Sequence, residues 1–199
     1  DLNVVAGWNL EDYDYRTQKT YRQGNLYPSK PSFTLMDGEY YSTTSGGYTW
    51  GLVGFFGRVN YAYAGRYLAE VSARYDGSSK FPSSSQWGFF PSVALKWNAA
   101  KENFLKDVRW IDELSLRLSA GRTGNDAIAT YRSLEAYGTT TNGYLFGGTQ
   151  SASFFPSRVS NPNLTWEKTT LYNAGLDFSA FDGRLNITVD GYYSTTRDL

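Results

Sequence analysis

Residues 67–75 read YLAEVSARY, and every second side chain, Tyr67, Ala69, Val71, Ala73 and Tyr75, is apolar while Glu70, Ser72 and Arg74 fall between them. Period-two alternation marks a strand with one oily and one wet face. Six further segments alternate in the same way: residues 2–10, 55–63, 87–97, 114–120, 170–180 and 185–193. Across all seven, the apolar face has 36 positions and carries no charge, although the chain's 19% of charged residues would place about seven there. The opposite face carries Arg58, Glu70, Arg74, Lys96, Arg117, Asp177 and Asp190. The turns AGR and DGR join neighbouring segments, which predicts an all-β antiparallel meander.

Composition narrows the chemistry open to such a sheet. Nineteen basic residues balance nineteen acidic ones, so nothing draws the chain to nucleic acid. There is no Cys, which removes disulfides, thiol nucleophiles and thiolate metal sites, and no His, which removes the usual general base and the commonest metal ligand. An enzyme is not expected. No run approaches the roughly 18 apolar residues of a membrane helix. Aromatic residues nonetheless reach 18%, with 17 Tyr.

A uniform oily face suits two architectures. In a soluble, secreted carbohydrate-binding sandwich it would be the core between two sheets. In an outer-membrane β-barrel it would face lipid, with the charged positions facing the lumen. Three features favour the barrel. Aromatic residues gather at strand ends, Tyr63, Tyr67, Trp97 and Phe178 near the short turns and Phe55, Tyr75, Phe89 and Tyr193 at the other ends, as in interfacial girdles. About ten tilted residues cross an apolar band of about 25 Å. Short connections alternate with long ones at residues 16–51, 76–86 and 124–164. Residues 98–113 break this alternation, and Phe104, Leu105, Val108 and Ile111 at helical spacing predict a small helix or folded cap. Seven strands cannot close a barrel, since closure takes at least eight and lipid tolerates no open edge. Both ends of the sequence look cut through an alternating pattern with no targeting signal, so the chain is expected to be a piece of a longer protein.

The blocks GFFGRVNYAYAGRYLAEVSARYDGSSKFPSSSQWGFFPSVALKWNAAKENFLKD, LRLSAGRTGNDAIATY and NPNLTWEKTTLYNAGLDFSAFDGRLNITVDGYYSTTRDL cover most of residues 51–199. Together they resemble the SusC/RagA-like family of TonB-dependent outer-membrane transporters. The resemblance implies that residues 1–199 are part of a barrel of about 22 strands, with the plug, the TonB-contacting segment and the other strands outside this sequence. It further implies import of oligosaccharides, or of peptides in some members, with a SusD-like surface lipoprotein as lid and TonB as energy source. A dimer of transporter–lipoprotein pairs is a further expectation, and no bound cofactor is implied.

Four further motifs bear on chemistry. GRTGN at residues 121–125 lacks the Lys-Ser/Thr ending of a phosphate loop and reads as the start of a long loop. Glu11, Asp12 and Asp14 offer oxygens to calcium but lack the Gly and distal Glu of an EF-hand, so a solvated rim loop is the favoured reading. Glu70, Asp177 and Asp190 could serve a glycosidase only at a defined separation; wall charges that set lumen polarity fit their pattern better. Tyr48, Trp50, Tyr144 and Phe146, in or beside long loops, are candidates for stacking on sugar rings or for packing among themselves.

Overall fold

A computed structural model of the chain describes residues 1–38, 40–140, 143 and 145–198, with the backbone alone at Phe146. The chain divides into two compact units, one made of Asp1–Glu11 and Gly51–Leu199 and the other of Asp12–Trp50. Eleven strands are present among the described residues. They are β1 (Leu2–Arg22), β2 (Tyr41–Tyr63), β3 (Tyr67–Ser78), β4 (Trp87–Asn98), β5 (Ile111–Asn125), β6 (Ala136–Thr140), β7 (Leu145–Phe146), β8 (Thr149–Gln150), β9 (Ser153–Arg158), β10 (Glu167–Ala180) and β11 (Leu185–Arg197).

Seven of them form one curled antiparallel sheet in the order β1-β2-β3-β4-β5-β10-β11, so each long strand pairs with its nearest long neighbours in sequence. The alternating registers read from the sequence meet rung by rung. Val59 faces Val71, Val71 faces Val93 and Val93 faces Ala120. Ala120 then faces Tyr172, which faces Tyr193. The next rung runs Tyr61, Ala69, Leu95, Leu118, Ala174 and Gly191. Because side chains alternate with period two, a slip of one residue at any pair would bring charges into these rows, and this fixes the register.

The apolar face is exposed: Val71 is 56% accessible, Leu95 51% and Val189 59%. A sandwich would cover these residues with a second sheet, whereas the other sheets among the described residues are two-stranded, β6 with β9 and β7 with β8. No helix among the described residues is long and apolar enough to cross a membrane.

Two connections differ from the sequence reading. Much of residues 16–51, expected as a long loop, continues the strands. In the second unit β1 and β2 narrow to an Asn25–Met36 bridge and a 3-10 turn at Phe33–Leu35. The signal was present but inverted: even positions of β1 are apolar through Leu10 and then become Asp12, Asp14 and Arg16, while Tyr13 and Tyr15 take the odd positions. Residues 98–113, expected as a small helix or folded cap, form the cap without the helix: a 3-10 turn, Ala99–Lys101, is followed by a chain of turns. The N–H groups of Glu102, Leu105, Val108 and Ile111 each bond the carbonyl three residues before. Leu105, Val108 and Ile111 recur every third residue and are half-buried, whereas Phe104 points away, so the period is 3.0 rather than 3.6.

Candidate functional site

The charged face organises itself around two arginines that reach over glycines. Arg117 on β5 donates Nε and Nη2 to Asp177 on β10, at 2.8 and 3.0 Å, and Nη2 also reaches Asp190 on β11 at 3.0 Å. Gly175 lies between Arg117 and Asp190 in register, and a Cβ there would come within 2.8 Å of the guanidinium. Arg74 on β3 does the same across Gly54 of β2, donating to Asp76 on its own strand and at 3.3 Å to Asn9 on β1. Lys96 stands directly opposite Arg117, a repulsive rung. It is tolerated because Lys96 Nζ lies 2.9 Å from Glu113 and 3.9 Å from Asp177. Arg58 and Glu70 form a looser pair at 3.6 Å.

All seven wall charges named from the sequence thus enter ion pairs, six of them across strands and Arg74 with Asp76 of its own strand. Asp177 and Asp190, weighed as a hydrolytic pair, both hold Arg117, which suits anchored wall charges rather than an acid and a base. Replacing Gly175 by Leu should push Arg117 off Asp190 and cost roughly 1–3 kcal/mol through overpacking, measured by urea unfolding of the full-length protein in lipid; a neutral result would mean that the guanidinium has another resting place.

A second centre joins the three motifs that carry the family resemblance. Phe81 from SSKFP, Phe90 from β4 and Trp166 from NPNLTW form a buried cluster, with Leu52, Ile128 and Leu164 packed against it. Phe90 falls on the charged face, where Gly88 and Gly124 leave room for its ring. Trp166 Nε1 donates to the Gln86 carbonyl at 2.9 Å, and Ser85 Oγ donates to the Leu164 carbonyl at 2.6 Å. Lys80 pairs with Asp126 at 3.2 Å, and Asp126 also accepts from Ser78 Oγ at 3.1 Å. The knot therefore ties the ends of the β3–β4 and β5–β10 connections together. GRTGN lies at the end of β5 with its backbone in the ladder to β10, so it is not a free anion-binding loop.

Of the ligand candidates, Tyr48 and Trp50 lie on β2 and are linked by Tyr13 of β1, which stacks on Tyr48 at 5.9 Å and on Trp50 at 5.5 Å. Tyr15 joins Tyr48 at 5.0 Å. Tyr13 and Tyr15 were missed, although DYDYR alternates as plainly as any transmembrane segment. Tyr144 lies outside the described residues, as does the side chain of Phe146. Asp14 pairs with Arg16 at 2.8 Å, and among the described residues no group of three or more acidic side chains gathers as a metal cage.

At the short-turn end, Glu102 accepts from Tyr67 Oη at 2.6 Å, Trp97 Nε1 at 3.1 Å and Arg66 at 3.3 Å. The Tyr67 hydroxyl first, then the Trp97 indole, holds the Glu102 carboxyl below the usual glutamate range. A carboxylate with a depressed folded pKa stabilises at neutral pH, and its contribution is lost as pH falls through that lowered value. Acidification should therefore loosen the cap, seen as a shift in tryptophan emission that Glu102→Gln makes independent of pH. A shift of the same size in the variant would assign the change to another group.

The whole chain, residues 1–199, matches the family described as TonB dependent receptor-like, beta-barrel. It is 45% identical over 151 residues to TonB-dependent receptor SusC of Bacteroides thetaiotaomicron, covering 74% of this chain and 15% of that receptor. Against TonB-dependent receptor P3 of Formosa agariphila the identity is 42% over 148 residues, with the same coverage. Among solved structures, the RagAB peptide importer in its open-open state superposes with a TM-score of 0.78 at 26% identity, over 98% of this chain and 21% of that one. The chain thus spans about a sixth of the curated receptors' length.

Proposed function

Because this chain belongs to the TonB-dependent receptor-like β-barrel family, with SusC- and RagA-type relatives, we propose that it is wall from a TonB-dependent outer-membrane importer of oligosaccharides that works beneath a SusD-like lipoprotein lid. The observation that carries this reading is the exposed, uncharged face paired in register from β2 to β11, backed by a face of interlocked charges. On this reading Tyr67, Ala69, Val71, Ala73 and Tyr75 face lipid, and Arg58, Glu70, Arg74, Lys96, Arg117, Asp177 and Asp190 line the lumen. The short turns lie on the periplasmic side and the long connections outside the cell. Transport itself belongs to the intact protein, through plug movement coupled to TonB and without bond chemistry. Peptides are the second substrate class, because RagAB is a peptide importer. Tyr13, Tyr15, Tyr48 and Trp50 supply an aromatic ladder on which sugar rings can stack.

Fractionation of source cells tests the reading, with the protein followed through the tryptic peptide YLAEVSAR, which ends at Arg74. The expected species is several times heavier than 22.4 kDa, sits in the outer membrane and co-purifies with a lipoprotein. A soluble species of about this mass would overturn it.

A further inference from the structure

The turn chain between β4 and β5 leans toward the apolar face of the sheet. Near its start, Glu102 accepts hydrogen bonds from Tyr67 and Trp97, both on apolar rungs. At its far end, the Trp110 ring meets the edge of Phe178, also on an apolar rung, at 6.2 Å, and stacks on Phe181 at 5.8 Å. Two backbone-directed bonds tie the β10–β11 turn to the same place: Phe181 N–H donates to the Trp110 carbonyl at 3.0 Å, and Gly183 N–H donates to Asp112 Oδ2 at 2.9 Å.

What this rim leaves outward is an unusual mixture for a periplasmic turn. Leu105, Val108 and Ile111 turn partly inward, yet Phe104 is 69% exposed, Phe181 53% and Trp110 50%. Interspersed with them in sequence are Lys101, Lys106, Arg109 and Arg184, none of which forms an ion pair among the described residues; Glu102 is taken by Arg66, and Asp107, Asp112 and Asp182 offset the four cations only in part. Aromatic rings with cations at a membrane rim match the headgroup layer, where rings sit at the boundary and basic side chains meet phosphate.

We propose that residues 99–110, with Phe181 and Arg184, form a foot in the headgroup layer of the periplasmic leaflet that binds anionic phospholipid. The proposal rests on the barrel reading, which supplies the bilayer and its direction. It commits to lipid rather than to a protein partner because the foot continues the apolar rungs of Tyr67, Trp97 and Phe178.

The test uses the full-length transporter in nanodiscs of phosphatidylcholine with phosphatidylglycerol, and native mass spectrometry of the lipids retained after detergent release. Wild type should retain phosphatidylglycerol several-fold above its share of the disc, and the combined Lys106→Glu, Arg109→Glu, Arg184→Glu variant should lose that enrichment. If the variant does not assemble, wild type at high salt gives the same readout, because screening weakens headgroup attraction. Equal enrichment in wild type and variant, enrichment unmoved by salt, or no enrichment in wild type would overturn the foot. Failure of wild type to enter discs at all would instead overturn the barrel reading on which it stands.

Discussion

Arginine in place of Val71 should cost the intact protein roughly 2–4 kcal/mol, the penalty for a cation near the bilayer midplane of a barrel's lipid face. Val71 sits between Val59 and Val93 in a rung of six apolar residues and is 56% exposed, so its cost would come from lipid contact rather than from lost packing. The control lies one residue away. Ser72 faces Ser92 on the other side of the sheet with an O···O distance of 2.7 Å, and Ser72→Arg should lose only about 0.5–1.5 kcal/mol for that hydrogen bond. Urea unfolding in lipid vesicles compares the two variants; equal costs would mean that both faces see the same medium and would end the lipid assignment.

Removing the indole of Trp166 should be more damaging still. The side chain is 3% exposed, touches Phe81 and Phe90 at ring distances of 5.0 and 5.3 Å, and donates its N–H to Gln86. Trp→Ala in a packed site costs about 3–5 kcal/mol, and here it also leaves the Gln86 carbonyl without that donor. The loss should be accompanied by faster proteolysis within residues 126–165, because the knot holds the ends of that connection. Unchanged stability and protease resistance in Trp166→Ala would show that Phe81 and Phe90 close the knot alone.

The sheet was legible in the sequence because a charge on the oily face is costly in any medium that face can meet. That one rule set the register from the inner part of β2 to β11, and the rungs from Val59 to Tyr193 meet as the alternation implies. The outer hairpin was not legible because the chemistry of its two faces exchanges after Leu10, so a search for apolar even positions ends there. The cap could not be told from a small helix because Leu105, Val108 and Ile111 satisfy the spacing of a helix and of successive tight turns alike. The knot was the least visible. Phe90 occupies a register assigned to the polar face, and its partners Phe81 and Trp166 come from connections whose approach only three dimensions reveal. The wall charges were legible one by one, but the reach of Arg74 to Asn9 and of Arg117 to Asp190 depends on Gly54 and Gly175, whose lack of a side chain lets an arginine span a strand.

The knot also separates two kinds of change over evolutionary time. Once Trp166, Phe90 and Lys80–Asp126 hold the feet of the β5–β10 connection together, the excursion that carries β6 to β9 hangs from a closed base. Doubling its length would cost only about 0.6 kcal/mol of closure entropy, and none of that cost reaches the ladder between β5 and β10. The segment can therefore gain or lose whole hairpins without disturbing the wall beneath it.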